Sequence, residues 1–151
     1  MSFHQKNIAV SLVNFTLILG FFLFRVVQML LSDSFTSTSI FRLWGITIGL
    51  AIVVMIIGTI ITHIVSTIIE AIKTGNEDPK IEDFEDERDQ LIDLRGTKVT
   101  YSVFSIGVFL SMLTFVFDQP PLVMFTLLIF FGLVAQIIGD ISRLALYRRG
   151  F

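Results

Sequence analysis

Four apolar stretches, each long enough to cross a lipid bilayer, take up most of this 151-residue chain, at 8–31, 41–72, 97–117 and 121–146. A hydrocarbon core needs about 20 apolar residues per helix, and inside it every backbone polar group must be satisfied within the segment. The sequence therefore predicts an all-α fold: a four-transmembrane-helix membrane bundle, one integral membrane domain over 1–151, with lipid as its main partner. The first run is longer than the roughly 7–15 residues of a secretion signal, and no small-x-small cleavage site closes it, so an uncleaved span is expected. Only 16% of residues are charged, against about 25% in water-soluble domains. Cys is absent, which removes thiolate metal sites, Fe–S clusters and cysteine nucleophiles together.

Charge sets the expected orientation. Lys6, Lys73, Lys80, Arg88, Arg95, Lys98, Arg143, Arg148 and Arg149 fall on one side of a four-span chain, nine of its eleven basic residues. The positive-inside rule makes that side cytoplasmic, N-in and C-in, and acidic residues count little in it. The outer loops are then short, at 32–39 and 118–121. Arg25, inside the first run but near its outer end, reaches the headgroups by snorkelling.

Polar residues within the spans suggest two arrangements. Asn14, His63, Ser105 and Gln136 each lie about four to seven residues from the inner ends, roughly 6–10 Å deep at 1.5 Å per residue. They form a candidate intramembrane polar layer. It is either hydrogen-bonded glue that fixes the register of the bundle, or a proton or cation path in which His63 acts with Glu70. Nearer the interface, Glu70, Asp140 and Arg143 form a candidate ion pair, Arg143 meeting Asp140 one turn away or Glu70 across the bundle. Gly45 and Gly49 make a G-x-x-x-G pattern that serves packing within one chain or a homo-oligomer seam. Two His, one of them at position 4, cannot assemble a tetrahedral nitrogen site. No metal, cofactor or catalytic residue is expected.

The 73–96 segment, a cytoplasmic acidic loop, is the one extended polar stretch. Gly75-Asn76 ends the second helix and Asp78-Pro79 blocks its continuation. Eight carboxylates follow between Glu77 and Asp89, the wrong sign for nucleic acid and without the spacing of a calcium loop. Phe84, Arg88, Leu91 and Arg95 recur at helical spacing, predicting a short amphipathic cytoplasmic helix before the third span that bends at Gly96 or runs straight into it. Glu85, Asp86, Glu87, Arg88, Asp89 and Arg95 are the candidate partner-binding residues.

The run Asp86-Glu87-Arg88-Asp89-x-Leu91-Ile92-Asp93-x-Arg95 resembles the D-E-R-[DE]-x-x-I-x-x-[KR] stretch that precedes the third span in an uncharacterised family of small four-helix bacterial inner-membrane proteins. Members are often encoded beside small helix-turn-helix regulators. The resemblance implies a bacterial inner membrane and a regulatory pairing, and it implies no particular activity. The sequence holds no G-x-S-x-G, H-E-x-x-H, P-loop or Rossmann pattern. The expected function is a non-enzymatic regulatory or scaffold protein that recruits a cytoplasmic partner through the acidic loop. The alternative is an oligomeric cation channel or transporter built on the polar layer.

Overall fold

Each apolar run becomes one helix, and each helix extends past the run that nucleates it. In the computed structural model, which describes residues 3–74 and 87–149, α1 spans Phe3–Leu31, α2 Ser37–Thr74, α3 Glu87–Val116 and α4 Pro121–Arg148. All four are long and apolar enough to cross a membrane, and no strand occurs among the described residues. The 38 residues of α2 reach about 57 Å at 1.5 Å per residue, longer than the roughly 30 Å of a hydrocarbon core. The helix before the third span is continuous with it: α3 passes straight through Gly96.

Local chemistry fixes the two short connections. Both α1 and α3 end with an aspartate in the left-handed region, Asp33 at φ 50° and Asp118 at φ 57°. The next residue then closes the turn, Ser34 N–H donating to the Met29 carbonyl and Gln119 N–H to the Thr114 carbonyl, each at 3.1 Å. This is the geometry that normally selects glycine or asparagine after a helix. Thr36 starts α2 by accepting a hydrogen bond from the Ser39 N–H at 3.4 Å, and Pro120-Pro121 starts α4, where a missing N–H costs nothing.

α1 packs against both α2 and α4, α2 also touches α4, and α3 rests on α4 through the most extensive interface. Its packing face carries Ile92, Gly96, Gly107 and Ser111, and the Phe131 ring of α4 lies where a side chain at 107 would begin. Close approach through small residues is what holds helices in lipid, where apolar burial gains little. Between α1, α2 and α4 lies an apolar core of Phe15, Ile18, Phe22, Met29, Ile40, Leu43 and Leu133. At its loop end, Trp44 Nε1 donates to the Phe125 carbonyl at 3.3 Å. Farther along, α2 meets α1 where Gly58 leaves room for Val10 and Asn14, while Ile52, Ile56, Ile60, Ile64 and Ile68 stay about half exposed, as lipid-facing residues do. Gly45 and Gly49 face open space, with nothing within 4 Å of an added Cβ. The reading of that pair as packing within one chain is therefore corrected: these glycines lie on the side of α2 that no other helix approaches.

Candidate functional site

At the end of the bundle that holds both termini, the apolar core gives way to a polar cluster centred on Asp140. This carboxylate is only 2% exposed and is surrounded by donors. Ser11 Oγ from α1 donates to Oδ2 at 2.7 Å, Gln136 Nε2 to Oδ1 at 3.2 Å, and Arg143 Nη1 to Oδ1 at 3.0 Å. The spacing 136, 140, 143 puts all three α4 residues on one face of that helix. A buried carboxylate without such partners would be strongly destabilising, which is why the donors converge here.

Arg143 carries the cluster across to α3. Its Nε donates to Asp93 Oδ1 at 2.9 Å and its Nη2 to Thr97 Oγ1 at 2.9 Å, while its stem lies over Gly96, whose missing side chain makes the space. One turn on, the Tyr147 hydroxyl donates to Asp89, and the Arg88 guanidinium sits 5.8 Å from the Tyr147 ring centre. Ile92 is fully buried with Ile8 and Tyr147. Asp89, Ile92, Asp93, Gly96 and Thr97 thus form one clamped face of α3. Glu87, Arg88, Leu91, Leu94 and Arg95 lie on the exposed remainder.

Beside Asp140, between α1, α2 and α4, lies a cavity of about 180 Å³. Its lining is His4, Asn7, Ser11 and Asn14 with the apolar Ile8 and Val10 from α1, Thr59 with Met55 and Gly58 from α2, Gln136, Asp140 and Arg143 from α4, and Asp93 from α3. His4 Nε2 is buried without a hydrogen-bond partner and lies 3.7 Å from Asp93 Oδ1.

The structure brings Asn14 and Gln136 to this cavity and leaves the other two members of the expected polar layer off it, a correction to the four-residue layer. Ser105 is exposed on α3 in a separate surface depression with Tyr101 and Lys98. It lies two residues from the packing residue Gly107, about 200° around the helix. His63 is exposed and stands five residues beyond Gly58, about 140° from the point where α2 meets α1. Arg143 meets Asp140, one of its two expected partners; the Glu70 side chain, the other, lies outside the described residues. Glu85 and Asp86 also lie outside them. Arg25, expected to snorkel, donates from Nη1 to Gln28 Oε1 at 2.7 Å.

Sequence reasoning passed over Ser11, Asp93, Thr97 and Tyr147. A signal for two of them existed: Asp89, Asp93, Gly96, Thr97 and Thr100 recur at 4-3-1-3 spacing, a polar and small-residue stripe that continues to Gly107 and Ser111 in the third span. Among the described residues, no group of three His, Asp or Glu side chains is placed to hold a metal ion. Against known protein families, curated proteins and solved structures, the chain has no match.

Proposed function

We propose that this is a multi-pass protein of the bacterial inner membrane, N-in and C-in, which acts without catalysis as a regulatory or scaffold protein. Its first turns of α3, together with the acidic segment that feeds them, recruit a cytoplasmic partner. The observation that carries this reading is the two-sided character of residues 87–97. One side is clamped to α4 through Asp89, Ile92 and Asp93. The other presents Leu91 at 50% and Leu94 at 68% exposure, beside Glu87 and Arg95. A partner that binds a helix already held in place does not have to supply its ordering, so affinity is gained without new contacts. The orientation rests on the nine basic residues that the sequence assigns to one side of a four-span chain, and the bacterial membrane on the family resemblance.

The channel reading draws less from the fold. Beyond Asn14 and Gln136 the space between α1, α2 and α4 is filled by Phe15, Ile18, Phe22 and Leu133, so an ion path would have to run between copies.

A photo-crosslinking residue placed at Leu94 in growing cells tests the proposal. The expected product is one discrete protein adduct, lost in a Glu87→Ala, Arg88→Ala, Arg95→Ala variant that still reaches the membrane. Adducts to lipid alone, or a protein adduct unchanged by those substitutions, would contradict it.

A further inference from the structure

The cavity beside Asp140 has a charge balance and a set of acceptors that select an occupant. Two carboxylates, Asp93 and Asp140, and one guanidinium, Arg143, line it, a formal charge of −1 with His4 neutral. Three of the five N–H donors of Arg143 already meet protein oxygens, and an anion would also face two carboxylates. A cation would find acceptors instead. Because Gln136 Nε2 is spent on Asp140, its Oε1 is left as an acceptor. Asn7 and Asn14 also line the cavity, and each side-chain amide carries a carbonyl oxygen that can accept.

Size narrows the choice further. About 180 Å³ is many times the roughly 10–15 Å³ that one water needs on the same measure, too large for a bare ion and roomy enough for an ammonium group on a short polar chain. Several neutral oxygens with a carboxylate at one edge match the three N–H donors of a primary ammonium, which carries its charge at a point. A quaternary ammonium has no N–H to offer, and the cavity lacks the aromatic walls that such a group prefers.

We infer that this cavity binds a primary ammonium group, carried either by a small free amine or by a phosphatidylethanolamine headgroup. The inference goes beyond partner recruitment and does not depend on it, although Asp93 belongs both to the cavity wall and to the clamped face of α3.

The test uses purified protein in phosphatidylglycerol nanodiscs, with ethanolamine as probe and choline as control, read by thermal unfolding. Ethanolamine is expected to raise the unfolding temperature saturably and choline is not. In Asn14→Leu and Gln136→Leu the half-maximal ethanolamine concentration should rise about tenfold, the loss of one charge-assisted hydrogen bond. The isosteric Asn14→Asp, which adds a carboxylate, should lower it and serves if the leucine variants do not fold. Repeating the titration in nanodiscs containing phosphatidylethanolamine separates the sources: a headgroup ligand abolishes the ethanolamine response, and a free-amine ligand leaves it intact. An ethanolamine response no larger than that of choline, or one unmoved in all the variants, would overturn the inference.

Discussion

Asp140 takes hydrogen bonds from α1 and from two positions of α4 while Arg143 reaches past it to α3, so this residue pair couples three helices through one buried contact. Breaking such a pair by removing one member leaves a buried charge short of partners, at a cost of about 3 kcal/mol. Asp140→Leu should therefore destabilise the bundle by about that much, and Asp140→Leu with Arg143→Leu by clearly less than the sum of the single changes. A double-mutant cycle from reversible unfolding in mixed micelles measures this, and additive losses would show that the two side chains do not act together. The pairing of Asp140 with Arg143 was legible in the sequence because it is local, three residues apart on one helix. Ser11 was not, and the spacing that marked Asp93 did not name its partner, because what joins these two to Asp140 and Arg143 is the placement of α1 and α3 against α4, which no spacing within one helix encodes.

At the level of elements, the glycines separate by what lies opposite them. At Gly107 a side chain would meet the Phe131 ring, and forcing bulk into a packed contact costs about 1–3 kcal/mol. Gly107→Leu should lower the unfolding temperature, whereas Gly45→Leu and Gly49→Leu, which meet nothing within 4 Å, should leave the stability of the single chain unchanged. If α2 is a seam between copies, those two substitutions will instead abolish a cross-linked dimer in native membranes while the monomer stays folded. The turns give a further expectation. Asp118 holds a left-handed conformation at φ 57° that disfavours β-branched residues, so Asp118→Val should cost about 1 kcal/mol and Asp118→Gly should be tolerated or stabilising. The apolar runs announced the four helices plainly, since hydrocarbon permits little else at that length. The prolines at 120 and 121 announced the second turn, but the paired role of Asp33 and Asp118 was hidden, because aspartate is a common polar loop residue and only the backbone angle reveals its task. The straight passage of α3 through Gly96 was one of two open expectations, decided by the Arg143 stem that occupies the space beside that glycine.

The whole molecule has an apolar core among α1, α2 and α4 and a polar cluster around Asp140 toward the termini, and its proposed function depends on which end faces the cytoplasm. Helix order was not legible in the sequence: four similar apolar runs say little about which pairs pack, and the choice rests on small residues such as Gly96, Gly107 and Gly139 meeting particular partners on the neighbouring helix. Orientation is an expectation from charge alone. The chain contains no cysteine, so single-cysteine variants report their own positions without background. Gln119→Cys at the loop end and Glu87→Cys at the start of α3 should be treated, in intact cells, with a membrane-impermeant maleimide. The account requires labelling of the Gln119→Cys variant in intact cells and of the Glu87→Cys variant only after the membrane is opened; the reverse pattern would place the α3 surface outside the cell and contradict recruitment of a cytoplasmic partner.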